Sequence, residues 1–173
     1  MNYLTVPLGK AHNKTDFSSG KLLLDRYIKY QAGQDIRKRL SACFVFAASD
    51  TGKIKGYYTL SNSSVSLDLL PERFKKHIPV TYRSIPAILL GRLAVAKESQ
   101  GSGLGKLLLI DALKRCALIS SSLGSFAVIV YPIDIEAEDF YREFGFIKLP
   151  DCDKMFLPMK TIEQYFEIKS AEK

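Results

Sequence analysis

The chain has 173 residues, 47% of them apolar, and a formal net charge of +7, which suits a single domain over residues 1–173 with a sizeable core and no linker or repeat. The opening Met1-Asn2-Tyr3-Leu4-Thr5-Val6 lacks the charged and apolar regions of a leader, and no stretch approaches the ~20 apolar residues that span a bilayer, so a cytoplasmic protein with no membrane partner is expected. Cys43, Cys116 and Cys152 lie far apart, and His12 and His77 are the only histidines; no metal is expected from such spacing.

In chain order, Leu4 to Val6 reads as a short first strand. Ser18 or Ser19 is placed to cap a helix carrying Leu22, Leu23, Tyr27, Ile28 and Tyr30, and a second helical piece runs from about Gln34 to Leu40 with Gly33 as the break. Arg26, Lys29, Arg37 and Lys38 fall off that apolar stripe and give a basic outer face. Cys43 to Ala48 reads as a strand, Ser49 to Lys53 as a turn and Ile54 to Leu60 as the antiparallel return, with Val65 to Leu67 extending the sheet. Pro71 opens a short helix over Glu72 to Lys76, and Pro79 and Pro86 hold the chain extended up to a strand from Ile88 to Val95. A long helix from Gly103 to about Ser120 precedes a buried strand at Ala127 to Val130. A helix from Ile135 to Glu143 then stops at Gly145, followed by strands at Phe146 to Leu149 and Met155 to Leu157 and a helix at Thr161 to Ile168. This order fits an α/β domain with a mixed sheet.

The densest signal is the strand, loop and helix around Gln100-Gly101-Ser102-Gly103-Leu104-Gly105. Before the glycines the pattern is that of a strand; after them Leu104, Leu107, Leu108 and Ala112 recur at helical spacing. Three glycines in five residues let backbone N–H groups turn outward at the positive end of a helix, which suits a phosphate, although a glycine-rich tight turn has the same appearance. The spacing is neither that of a P-loop nor GxGxxG. Basic clusters at Arg37-Lys38-Arg39 and Arg73-Phe74-Lys75-Lys76 read either as solvated faces or, with the overall excess of charge, as contacts for an anionic partner such as nucleic acid.

Gln-x-x-Gly-x-Gly after a strand ending Arg92-Leu93-Ala94-Val95 resembles the acyl-CoA pyrophosphate loop of the GCN5-related N-acetyltransferases (GNAT). The downstream segment Ala137-Glu138-Asp139-Phe140-Tyr141-Arg142-Glu143-Phe144-Gly145-Phe146 is similar to that family's A-x-x-F-Y-x-x-x-G-F helix, although an aromatic stripe of this kind is by itself explained by core packing. Asp25-Arg26-Tyr27, Gly56-Tyr57-Tyr58-Thr59-Leu60-Ser61, Leu89 to Val95 and Asp111-Ala112-Leu113 further resemble the acetyltransferase toxins of bacterial toxin–antitoxin pairs. The resemblance implies a GNAT fold with a mixed, mostly antiparallel sheet splayed at the acyl-CoA site. It also implies an enzyme that acetylates the α-amino group of aminoacyl-tRNA with acetyl-CoA and blocks translation. The partners implied are a ribbon-helix-helix antitoxin that blocks the enzyme and operator DNA repressed through the complex, with room for a homodimer.

On that resemblance Leu93 and Val95 pair with pantetheine. Gln100, Gly101, Ser102, Gly103, Leu104, Gly105 and Lys106 hold the pyrophosphate, and Leu93, Ala94 or Val95 supplies an N–H to the developing oxyanion. Tyr141 is the implied acid for the leaving thiolate, against a reading in which its hydroxyl is merely satisfied at a rim. Arg92, Arg37, Lys38, Arg73, Lys75, Lys76 and Arg83 are the candidates for tRNA phosphates, Arg92 being equally readable as half of an ion pair. No general base stands out, and an α-amino group makes a small demand for one, since it titrates near about 8 against about 10.4 for lysine. Tyr131-Pro132-Ile133-Asp134 departs from the toxin pattern and leaves the preferred amino acid open. Two other readings remain at this point: acetylation of a protein or small amine, and a binding module that keeps the fold without catalysis.

Overall fold

In the computed structural model, which describes residues 3–76, 78–150 and 152–167, the apolar runs form seven strands. They are β1 (Val6–Pro7), β2 (Ala42–Ala47), β3 (Ile54–Ser66), β4 (Ser84–Val95), β5 (Ala127–Val130), β6 (Ile147–Lys148) and β7 (Met155–Pro158). They join one sheet in the order β1-β2-β3-β4-β5-β7-β6. The pairs β1–β2, β2–β3, β5–β7 and β6–β7 are antiparallel, whereas β4 and β5 run parallel with Ala87 opposite Ala127 and Leu89 opposite Ile129. The turn residues between Ser49 and Lys53 connect β2 to β3, and the segment read as a separate Val65 extension is the continuation of β3 itself. His77 and Ile168, named in the sequence reading, lie outside the described residues.

The chain forms two compact units, Met1–Ser61 with Leu90–Ala112, and Asn62–Leu89 with Leu113–Lys173. The core of the first unit gathers Phe17, Leu24, Tyr27, Ile28, Val45, Ile54, Tyr57 and Ala94. Its helical segment is α1 (Leu22–Arg26), a π-helical stretch (Tyr27–Gln31) and α2 (Ala32–Arg37) in direct succession. The expected break at Gly33 is therefore absent. The irregularity falls earlier, where the Ala32 N–H reaches back to the Tyr27 carbonyl and widens the turn.

The buried face of the segment differs in part from the expected stripe, although Tyr27 and Ile28 belong to both. Leu24, Tyr27, Ile28 and Ala32 face the core, while Leu22, Leu23 and Tyr30, assigned to the apolar stripe from the sequence, are 70%, 76% and 71% exposed. Ser19 does not cap the helix in the expected way either. The residue at the N-cap is Lys21, without a side-chain cap, and the Ser19 hydroxyl donates instead to Asp25 Oδ1 at 2.7 Å.

In the same unit Gly56 is packing-critical, since a Cβ there would lie 2.7 Å from Leu108 Cδ1 and 3.1 Å from the Ala94 carbonyl oxygen. Asp111 on α4 (Leu104–Leu123) is a buried carboxylate that is fully engaged. It accepts from the Leu4 N–H at 2.7 Å, the Thr5 hydroxyl at 2.6 Å and the Tyr58 hydroxyl at 2.7 Å, fastening the N-terminal segment. Along α4, Leu104, Leu108 and Ala112 are buried as the spacing predicts, whereas Leu107 is half exposed and Leu109, outside that pattern, is buried.

The core of the second unit contains Val65, Leu70, Ile85, Ala87, Ala127, Ile129, Leu149 and Phe156. The short α3 (Glu72–Lys75) starts behind Pro71, and α5 (Ile135–Glu143) and α6 (Met159–Tyr165) complete the helices. Asp134 caps α5 by accepting the Ala137 N–H at 2.9 Å. The helix ends through bonds from the Phe144 and Phe146 N–H groups to the Tyr141 carbonyl, with Gly145 at φ +83° as expected for a glycine stop.

Candidate active site

The site starts from an inequality of strand lengths. β4 runs to Val95, but its pairing with β5 ends at Leu89. Among the described residues no strand pairs with the edge of β4 that faced β5 over residues 90–95, which suits an extended ligand. The end of the strand is fixed by the Ala96 N–H, which donates to the Lys55 carbonyl at 2.8 Å.

Beyond it a single 3-10 turn (Lys97–Ser99) leads into the glycine loop. Gly101 and Gly103 sit at φ +75° and +82°, a region that side-chain-bearing residues enter only with strain. A Cβ at either position would meet nothing within 4 Å. Packing thus does not demand these glycines; the backbone turn does, and it leaves empty space in front of the loop. The Ser102 hydroxyl donates to the Ser99 carbonyl at 2.6 Å and stiffens the turn. The first helical bond of α4 runs from the Leu107 N–H to the Gly103 carbonyl at 3.2 Å, so the N–H groups of Leu104, Gly105 and Lys106 form the positive amino end of a long helix. Open cradle, outward amides and helix terminus together fit a pyrophosphate.

Gln100 plays a different part from its neighbours. Its N–H already donates to the Lys97 carbonyl at 3.2 Å, and its side-chain amide donates to two carbonyls, Val95 at 3.0 Å and Ser19 at 2.8 Å. The residue closes the loop on the strand it leaves. Nothing in the local pattern announces this, because Ser19 lies 81 positions away.

Arg92 is half-buried in the same unit, and its partner is a ring. The guanidinium carbon lies 3.6 Å from the centroid of Tyr27, and among the described residues it has no carboxylate partner. Burial raises the Tyr27 phenol to about 12, so it stays neutral and donates to Asp35 Oδ2 at 3.1 Å. The ion pair weighed for Arg92 is thus replaced by a cation–π contact. Arg37 and Lys38, at the end of α2, are exposed.

Tyr141 lies on α5 in the second unit, with its ring buried against Phe140 and Phe146 at centroid distances of 5.3 Å each. Burial pushes its phenol well above the ordinary value, so it is a neutral O–H donor at cellular pH. Its hydroxyl makes no hydrogen bond among the described residues, and no fully buried side-chain polar atom among them lacks a partner. The oxygen must therefore keep access to solvent while the ring is enclosed.

The remaining basic candidates of this unit are dispersed in role. Arg73 stacks on Phe74 at 4.9 Å, Lys75 pairs with Glu72 at 2.9 Å, and Lys76 and Arg83 are exposed. Tyr131, which follows β5, is 44% exposed with Lys154 5.3 Å from its ring centroid. Among the described residues no group of three metal-ligating side chains comes together, and no helix is long and apolar enough to cross a membrane.

A strand that outruns its parallel neighbour and ends in a glycine cradle at a helix terminus defines an acyl-CoA-dependent transferase. The family comparison agrees: the model of the acetyltransferase (GNAT) domain matches residues 15–156, and the chain belongs to this family of N-acetyltransferases. Among curated relatives, a tRNA-acetylating toxin of Mycobacterium tuberculosis (strain ATCC 25618 / H37Rv) is 37% identical over 139 residues, covering 80% of this chain and 81% of the relative. A crystal structure of a tyrosine-to-phenylalanine mutant of KacT superposes with a TM-score of 0.85 at 30% identity, covering 90% of this chain and 93% of that one. AtaT complexed with acetyl-methionyl-tRNAfMet gives a TM-score of 0.87 at 26% identity, covering 95% and 99%. AtaTR bound with acetyl-CoA and a KacTA–DNA complex, each 26% identical, share the fold with TM-scores of 0.83 and 0.80.

Proposed function

We propose that this protein is a toxin that transfers acetyl from acetyl-CoA to the α-amino group of aminoacyl-tRNA and so blocks translation. The observation that carries the reading is the open edge of β4 running into the Gly101/Gly103 cradle, a site built for an acyl-CoA. The acceptor is supported by the tRNA-acetylating relative and by the AtaT complex.

Each residue then has a task. Leu93 and Val95 align the pantetheine arm along the strand, while the amides from Gly101 to Lys106 hold the pyrophosphate. When bound, acetyl-CoA supplies an activated thioester carbonyl. An N–H of Leu93, Ala94 or Val95 stabilises the negative charge that develops on the carbonyl oxygen. The acceptor amine forms the new C–N bond and releases its proton to solvent, its ordinary value near about 8 leaving a useful neutral fraction without a dedicated base. As the C–S bond breaks, the Tyr141 O–H donates its proton to the departing sulfur and is reprotonated from solvent. Arg92, Arg37, Lys38, Arg73, Lys75, Lys76 and Arg83 are assigned to the tRNA backbone.

Residues 1–173 are read as one N-acetyltransferase domain acting in the cytoplasm, where charged tRNA is found. A ribbon-helix-helix antitoxin, operator DNA bound through the complex and a second copy in a homodimer complete the proposed partners; the KacTA–DNA complex supports the DNA. The test is transfer of radiolabelled acetyl to a pool of charged bacterial tRNA, with uncharged tRNA and bulk protein beside it. Label confined to charged tRNA is the expected result. Label on protein or small amines would overturn the acceptor and keep the coenzyme site; no label anywhere would favour a binding module.

A further inference from the structure

The loop that fits the coenzyme is tied to the start of α1 by a chain of side-chain bonds. Gln100 Nε2 donates to the Ser19 carbonyl at 2.8 Å and to the Val95 carbonyl at 3.0 Å. Ser19 is gripped from the helix, because Asp25 Oδ1 accepts from its N–H at 2.7 Å and from its hydroxyl at 2.7 Å. A backbone bond runs alongside, from the Lys97 N–H to the Ser18 carbonyl at 2.8 Å. The two segments are in close approach there: a Cβ on Gly20, at φ +88°, would lie 2.9 Å from Lys97 Cε. Asp25 belongs to the same helical segment that sets the Tyr27 ring against Arg92 and carries Arg37 at its far end.

We propose that Gln100, Ser19 and Asp25 form a clasp that couples acetyl-CoA binding on the glycine loop to the position of α1, so that occupancy of the coenzyme loop sets the helical segment whose Arg37 and Lys38 are assigned to tRNA. Gln100 and Asp25 are positioning residues: the Gln100 side-chain N–H groups and Asp25 Oδ1 are spent on the clasp, and they act through the loop and the helix they join. A bond pattern that must be intact for both segments to hold their places makes the two binding events share one free energy, and such coupling is reciprocal. Loop ordering by the coenzyme is then felt at the helix, and damage at the helix is felt by the coenzyme. The inference rests on the acyl-CoA reading of the loop and adds to it a route by which donor and acceptor sense each other.

The measurement is the affinity for acetyl-CoA by calorimetry, without any acceptor, in Asp25→Ala and Asp25→Asn. Asp25→Ala removes the acceptors of the clasp and is expected to weaken acetyl-CoA about fivefold, the lower end of the usual range of coupling. Asp25→Asn keeps an oxygen for Ser19 and is expected to stay within about twofold, on the same reasoning. Gln100→Met, similar in size, uncharged and without donors, should raise KM for charged tRNA as well as for acetyl-CoA, and adding Asp25→Ala to it should cost acetyl-CoA binding nothing more.

Unchanged acetyl-CoA affinity in Asp25→Ala, or effects of the two substitutions that simply add, would overturn the clasp. If Asp25→Ala does not fold, Gln100→Met alone removes both donors from the Ser19 and Val95 carbonyls, and unchanged acetyl-CoA affinity in it would overturn the clasp equally. Because the calorimetry needs no tRNA, a failure to acetylate charged tRNA would refute the acceptor assignment while leaving the clasp to its own result.

Discussion

Tyr141 shows what burial does to a single side chain. Its aromatic neighbours exclude water from the ring and keep the phenol protonated, while its oxygen retains an outlet to solvent. A neutral acid held in that way is suited to protonating a leaving group. Tyr141→Phe is therefore expected to lower kcat by about a hundredfold or more, in the range for loss of one acid–base group. The melting temperature should hardly move, since no hydrogen bond within the described residues is lost. Steady-state acetyl transfer beside a thermal melt checks both halves; an active variant would return Tyr141 to the rim role.

At the scale of elements, the glycine loop and α5 show how local chemistry is built into the backbone. At Gly103 the need is for φ +82° and for empty space, so Gly103→Ala has two consequences. The strain of a left-handed alanine should cost about 1 kcal/mol of stability, and the new methyl stands in the cradle, so KM for acetyl-CoA should rise more than that for charged tRNA. Equal increases would place the cradle elsewhere.

On α5, Glu138 bonds Lys148 at 2.8 Å and also Arg142, and the Lys148 bond, together with the two positive charges, holds its carboxyl below the usual range. A carboxylate with a depressed value contributes stability above its unfolded-state pKa and loses it as pH falls through the folded one. The melting temperature of Glu138→Gln should thus lie below wild type at about pH 7 and converge with it as pH falls through the depressed folded-state value of the carboxyl, below which both side chains are uncharged. A gap that persists in acid would show that packing, and not charge, is what Glu138 supplies.

For the molecule as a whole the governing quantity is the +7 net charge. An acceptor bound through its phosphates releases counterions, so KM for charged tRNA should climb steeply from roughly 50 to 200 mM salt. Acetyl-CoA, whose proposed site consists largely of uncharged amides, should respond much less. Initial rates at fixed saturating donor measure the first, and rates at fixed charged tRNA the second; parallel slopes would remove the basic side chains from tRNA binding. The excess resides in side chains such as Arg37, Lys38, Lys76 and Arg83, which are exposed, so their assignment is a matter of the whole field more than of any one contact.

The sequence by itself determined the strand, glycine loop and long helix, the β5 strand and the Ile135–Glu143 helix with its Gly145 stop, because glycine spacing, alternation and capping act within a few residues of the chain. It also carried the family. The expected Tyr27 and Ile28 are buried, but only the tertiary structure decided that Leu24 joins them in the core while Leu22, Leu23 and Tyr30 stay exposed. The same holds for the Tyr27 ring under Arg92, the Asp111 anchor of Leu4 and Thr5, and the bond from Gln100 to Ser19. Each of these joins residues far apart in the chain, and a polar or aromatic side chain does not encode its distant partner; folding brings the two together and burial then selects the pair.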